Sequence, residues 1–218
     1  MIKLALIAVL TNVYLVSSFA QSHEVPYKED VQVIKKYDNM YPQPENPILF
    51  VGSSSIRLWK DFNQKFGKYG AINRGIGGAV VNDILYHTED LIVRYNPRKI
   101  VLYVGENDLP NASSTADSVL NRTVRLYNRI RSRLPDVPII YIAMKPSPSR
   151  DQFQVKAMEG NRLIKNFFEG KKDVTFLDIY TPMLAGGKSR PELFLEDRLH
   201  MNEKGYAIWE KKLKKHLK

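Results

Sequence analysis

The chain has 218 residues, carries a formal charge of +10 from 33 basic and 23 acidic side chains, and contains no cysteine. That length suits one domain better than two and allows about 70% of the unfolded surface to be buried, so a core forms without covalent staples. Without thiols there is no disulfide framework, no thiol nucleophile and no cysteine-ligated zinc. No interleaving of basic and aromatic residues points to nucleic acid.

In chain order, residues 1–20 read as a signal peptide. Met1-Ile2-Lys3 is a short basic start, Leu4 to Val16 is mostly apolar, and Ser18-Phe19-Ala20 before Gln21 is a small-x-small cleavage pattern. The apolar run is short for a membrane span. The expectation is a protein cleaved after Ala20 and exported, periplasmic or secreted, with no stable membrane insertion. Residues 21–218 then form one domain.

A helix is expected over Asp30–Met40, with Val33, Ile34 and Tyr37 on one face. Pro42, Pro44 and Pro47 end it and lead into a strand at Ile48–Gly52. Further short runs, β-branched or aromatic and bounded by turn residues, predict strands at Ala71–Arg74, Ile100–Val104, Ile139–Ala143 and Val174–Leu177. Between them lie helix patterns at Val80–Tyr95, Ser114–Leu134 and Ser149–Glu169. The second opens on a capping box of Ser114 and Asp117 and carries a stripe of Leu120, Val124, Tyr127, Ile130 and Leu134. Asn202 caps a last helix, Glu203–Leu217, whose stripe Tyr206, Trp209, Leu213 and Leu217 faces away from Lys211, Lys212, Lys214, Lys215 and Lys218. With that stripe opposite them, the lysines read as a solvated outer face, the other reading being a basic surface that attracts anionic polysaccharide or a membrane. Alternating strands and helices predict an α/β fold: a three-layer α/β/α sandwich on a flavodoxin-like, five-stranded parallel sheet.

Ligands of such sheets bind at the carboxyl ends of the strands. Gly52-Ser53-Ser54-Ser55 follows the first strand, Gly75-Ile76-Gly77-Gly78 the second and Gly105-Glu106-Asn107-Asp108 the third. Asp197-Arg198-Leu199-His200 precedes the last helix. A serine attacks a carbonyl only when a histidine takes its proton and a carboxylate holds that histidine in the right tautomer. Ser54, His200 and Asp197 supply these three groups, with Ser53 and Ser55 as rival nucleophiles. The oxyanion needs donors, which the N–H groups of Ser54 and Gly78 and the Asn107 amide supply. Read blandly, the serines and glycines are turn residues and Asn107 caps a loop. Gly75-x-Gly77-Gly78 lacks the third glycine of a dinucleotide site. His87 reads as structural, and His23 and His216 as solvated. Histidines so few and scattered suggest no metal.

The four blocks together resemble the SGNH hydrolases, the GDSL-type esterase/lipase superfamily. Gly52-Ser53-Ser54 resembles the first block with Ser54 at the nucleophile, Gly78 the second-block glycine, Gly105-x-Asn107-Asp108 the third, and Asp197-x-x-His200 the last. Ser53 stands where the family usually has Asp. The resemblance implies an esterase working through an acyl-Ser54 intermediate without metal or cofactor, on a small-molecule or glycan ester. The absence of a long insertion favours short acyl groups such as acetyl on a carbohydrate. A lysophospholipase, or a non-catalytic glycan-binding module on a decayed hydrolase fold, are the other readings. The sequence is silent on oligomeric state.

Overall fold

The central apolar runs pair side by side because they are buried on both faces and can satisfy their backbone only in a sheet. The computed structural model describes residues 24–217, so the signal-peptide reading, His23 and Lys218 lie outside the described residues. The elements begin with α1 (Lys28–Met40), β1 (Ile48–Gly52), the short α2 (Ser54–Arg57) and α3 (Phe62–Phe66), then β2 (Ala71–Gly75). Next come α4 (Val81–Tyr86), α5 (Thr88–Leu91), β3 (Lys99–Tyr103), α6 (Ala116–Arg133), β4 (Ile139–Ile142), α7 (Gln154–Phe168) and β5 (Val174–Leu177). A two-residue hairpin, β6 (Leu184–Ala185) with β7 (Lys188–Ser189), and α8 (Glu203–Leu213) complete the order.

The five main strands are parallel in the order β2-β1-β3-β4-β5. Helices cover both faces. On one, Phe50 packs at 4.9 Å from Phe62 and 5.0 Å from Phe66, and Tyr103 at 4.7 Å from Trp209 of α8. On the other, Tyr141 meets Phe168 of α7 at 5.5 Å, and Phe168 meets Tyr127 of α6 at 5.6 Å. The order reverses between β1 and β3, whose carboxyl ends flank the crevice this topology uses for ligands. Gly52 sits there in register with Gly75 on one side and Tyr103 on the other.

The strands match expectation to within a residue at either end, but the helices depart further. The segment 80–95 is broken into α4, α5 and a 3₁₀ turn at Val93–Tyr95. The Thr88 hydroxyl bonds back to the carbonyls of Ile84 and Leu85 at 3.1 and 2.9 Å, competing with the helical ladder. His87, at the junction, is buried as a structural residue whose Nε2 meets the Pro26 carbonyl at 2.6 Å. The capping box of α6 is one residue displaced: Thr115 Oγ1 accepts from Ser118 N, and Ser118 Oγ from Thr115 N. Its buried stripe is centred on Val119, Thr123, Leu126 and Ile130. Residues 148–153 form a 3₁₀ segment before α7, and Lys214–His216 a 3₁₀ end to α8. His216 is half-buried, not solvated. On α1 the core residue is Val31, whereas Val33 and Tyr37 are exposed.

Candidate active site

Ser54 is placed by a sharp exit from β1. Gly52 has φ of +144°, and a Cβ there would lie 1.8 Å from the Tyr103 carbonyl oxygen, so only glycine lets the strand pass its neighbour. Ser53 is extended, donates its N–H to Tyr103 O at 3.0 Å, and leaves Ser54 as the first residue of α2. Ser53 and Ser55 are buried, and the contact with His200 belongs to Ser54: its Oγ lies 3.1 Å from His200 Nε2.

His200 and Asp197 sit on a loop pinched at its base. Phe194 bridges Met201, Leu195 N donates to His200 O at 2.8 Å, and Asn202 N to Leu193 O at 3.0 Å. Arg198 takes the left-handed turn within it, at φ of 57°. Asn202 anchors the far end: its Oδ1 caps α8 through Lys204 N at 2.9 Å, and its Nδ2 donates to the Glu192 and Phe194 carbonyls at 3.0 Å each. Asp197 uses both carboxylate oxygens. Oδ1 accepts from the Leu199 and His200 N–H groups at 2.9 Å each, and Oδ2 from His200 Nδ1 at 2.6 Å. A carboxylate acceptor at Nδ1 fixes the proton there and leaves Nε2 as the acceptor facing Ser54. Partial burial alone would raise the Asp197 pKa, but the backbone N–H groups of His200 and Leu199 and the His200 ring outweigh it and hold the carboxyl at about 2.

The other two blocks close on the same crevice. Ile76 N donates to Gly52 O at 2.8 Å, tying the glycine loop to β1. Gly78, at φ of +80°, faces Tyr27, whose hydroxyl lies 3.0 Å from where a Cβ would stand. Gly78 N–H donates to no protein acceptor among the described residues, and Ser54 N–H, at the start of α2, has no partner within the helix. Asn107 lies in a 3₁₀ turn, Glu106–Asp108. Its Nδ2 donates to Ala79 O at 3.1 Å, next to Gly78, and its Oδ1 accepts from Arg150 Nη2 at 2.8 Å.

Beneath Asn107 lies a buried polar network. Lys145 Nζ donates to both Glu106 carboxylate oxygens at 2.8 Å, Ser147 Oγ to one at 2.9 Å, and Tyr103 Oη to the other. Burial would raise the Glu106 pKa, but the neighbouring Lys145 and Arg150 cations lower it below the usual range, so it stays ionised. On the far side of the turn Asp108 accepts from Val81 N at 3.1 Å and from Arg122 at 2.9 Å.

Of the residues expected from sequence, Ser54, His200 and Asp197 are joined by direct hydrogen bonds, and Asn107 is tied to Ala79, the neighbour of Gly78. Sequence reasoning missed Tyr27, Arg150 and the Glu106–Lys145–Ser147 network. One signal was present, since Lys145 directly follows the buried run of β4 and then stays buried itself. Tyr27 and Arg150 gave none, because both reach the rim only through the tertiary fold. Among the described residues no three His, Asp or Glu side chains gather closely enough to hold a metal ion.

The family model for the GDSL-like Lipase/Acylhydrolase family matches residues 50–208. The chain is 26% identical over 174 residues to the platelet-activating factor acetylhydrolase IB subunit alpha2 of Gallus gallus, covering 75% of this chain and 72% of that protein. Its fold superimposes on a GDSL-like lipase of Bacteroides thetaiotaomicron with a TM-score of 0.73 at 20% identity, covering 86% of this chain and 96% of the other. It also superimposes on a catalytic mutant of an acetylxylan esterase of Geobacillus stearothermophilus, with a TM-score of 0.64 at 15% identity over 80% and 95% of the two chains. A serine–histidine–carboxylate chain at the switch point of a five-stranded parallel sheet, with the family model spanning all four motif blocks, makes this protein a carboxylic ester hydrolase belonging to the GDSL-like lipase/acylhydrolase family.

Proposed function

We propose that this protein is an exported serine esterase that removes short acyl groups, acetyl foremost, from carbohydrate esters. The observation that carries the catalytic part is the hydrogen-bonded chain Ser54 Oγ–His200 Nε2 at 3.1 Å and His200 Nδ1–Asp197 Oδ2 at 2.6 Å. In the reaction His200 takes the Ser54 proton as Oγ attacks the ester carbonyl, and Asp197 steadies the imidazolium. The N–H groups of Ser54 and Gly78 and the Asn107 amide receive the oxyanion. His200 then protonates the leaving alcohol. Water, deprotonated by the same histidine, attacks the acyl-Ser54 carbonyl, releasing the acid and restoring the serine.

Two named relatives support acetyl as the acyl group: one is named for platelet-activating factor and its acetyl ester, the other for acetylated xylan. The carbohydrate assignment leans on reading residues 1–20 as a signal peptide, since export suits a substrate outside the cytoplasm.

The test is hydrolysis of p-nitrophenyl acetate, butyrate, octanoate and palmitate by the protein and by Ser54→Ala, followed by acetate release from O-acetylated xylan. Acetate and butyrate turnover lost in the variant, with acetate freed from xylan, is the expected result. Preference for octanoate or longer would move the substrate to lipids. Equal rates in variant and parent would remove Ser54 as nucleophile.

A further inference from the structure

We infer that Arg150 is a positioning residue for the reaction: its guanidinium clamps the Asn107 loop and makes the Asn107 amide a fixed, polarised oxyanion donor. This rests on the esterase reading above. Arg150 donates through Nη2 to Asn107 Oδ1 at 2.8 Å and through Nη1 to the Glu106 backbone carbonyl at 2.5 Å. The side chain is half-buried and makes no ion pair among the described residues. The Glu106 carboxylate accepts hydrogen bonds from Lys145, Ser147 and Tyr103. The Arg150 charge helps to keep Glu106 ionised, but the guanidinium N–H groups are turned onto two oxygens of one loop, the Glu106 backbone carbonyl and Asn107 Oδ1, and so also fix that loop's geometry.

Two consequences follow from the chemistry of an amide. An asparagine side chain reads almost the same when flipped by half a turn, and the flipped form would present its oxygen to the developing oxyanion. Here both ends are fixed. Arg150 offers only donors to Oδ1, and the Ala79 carbonyl offers only an acceptor to Nδ2. The second effect is polarisation. A cation on the amide oxygen draws electron density from the nitrogen and strengthens its N–H groups as donors, most when negative charge develops in front of them. The fork geometry matters as well: a planar guanidinium aims two N–H groups in fixed directions at the two oxygens, whereas an ammonium is a compact charge with rotatable donors.

The backbone around Arg150 ties this clamp to the other half of the site. Arg150 is the one residue of its 3₁₀ segment with non-helical angles, φ −125° and ψ 19°, and its N–H donates to Ser147 O at 2.8 Å. Its neighbour Ser149 donates its N–H to Arg198 O at 3.1 Å, inside the Asp197–His200 loop. One short segment after β4 thus braces both the oxyanion side and the histidine side of the crevice.

The experiment is a double-mutant cycle on p-nitrophenyl acetate with Arg150→Ala, Asn107→Ala, the double variant and Ser54→Ala, reading kcat and KM separately. Arg150→Ala is expected to lower kcat by about tenfold to a hundredfold, less than the loss of a whole oxyanion donor, with KM little changed. In the Asn107→Ala background it should cost less than about threefold, because the group it acts through is gone. Arg150→Lys should fall between parent and Ala. If Arg150→Ala is poorly folded by circular dichroism, Arg150→Lys and Arg150→Gln carry the same cycle. Equal losses in the two backgrounds would overturn the inference, as would a rise in KM at constant kcat, which would make Arg150 a substrate contact. If Asn107→Ala and Ser54→Ala both leave turnover unchanged, the catalytic assignment itself falls and the role of Arg150 with it.

Discussion

Asp197 shows how much one side chain can carry at the residue scale. Its Oδ1 closes the loop onto two backbone N–H groups while its Oδ2 orients His200. In Asp197→Asn the amide oxygen can still serve the loop, but the NH₂ then faces His200 Nδ1 and drives the ring proton to Nε2, where it blocks proton transfer from Ser54. We therefore expect the variant to fold normally and to lose kcat by roughly a few hundredfold to ten-thousandfold, while Ser54→Ala and His200→Ala lose more. Steady-state kinetics beside a thermal melt checks this. A pH effect follows from the same residue. Its folded pKa, about 2, lies below the ordinary 3.8, so its stabilisation is complete above pH 3.8 and is lost as pH falls through 2. Urea midpoints of parent and Asp197→Asn should converge as pH falls from about 4 to 2. A difference that grows between pH 4 and 2 would contradict the assigned shift. Ser54, Asp197 and His200 were legible in the sequence because their chemistry survives as short motifs. Arg150 lies 43 residues from its partner Asn107, and nothing local marks that pairing.

At the scale of elements, the strands were readable and the connections less so. A fully buried parallel strand has one signature, an apolar run between turn residues, which β1, β3 and β4 carry most clearly, while the edge strands β2 and β5 are only partly buried. A helix boundary depends on side chains that compete for backbone groups. The break at His87-Thr88 needed the Thr88 hydroxyl and a carbonyl from Pro26, and only the threonine is visible locally. The loops after β3 and β4 were legible as polar rims but not as one unit joined by the buried Glu106–Lys145 pair. Removing one partner of such a pair strands the other charge. Lys145→Met should therefore destabilise the fold by about 3–5 kcal/mol, and adding Glu106→Gln should recover a large part of that loss. Denaturant midpoints of the two variants decide it. A neutral Lys145→Met would mean that Arg150 and Ser147 alone suffice to hold Glu106.

At the scale of the whole molecule, α1 illustrates why a correct period still misplaced part of the buried face: Ile34 packs against the core, while Val33 and Tyr37 are exposed. Its spacing is helical, but the helix is held less by Tyr37 than by Asp38, which pairs with Arg74 and accepts from Tyr95 Oη at 2.5 Å. Hydrophobic periodicity cannot see a buried ion pair. The segment before α1 matters for the site, because Pro26 is pinned by His87 and Tyr27 stands against Gly78. Cleavage after Ala20, as proposed, would leave this anchor whole, with residues 21–23 ahead of the described chain. Expressed with its leader in a secreting host, the protein should be recovered outside the cytoplasm with an intact mass starting at Gln21. It should match the activity of a chain begun at Gln21 directly. A chain begun at Lys28 should lose turnover, because Tyr27 and the Pro26 contact go with the deleted segment. Recovery of the full-length mass from the cytoplasm would refute export, and full activity in the shorter chain would show that the Tyr27 segment only borders the site.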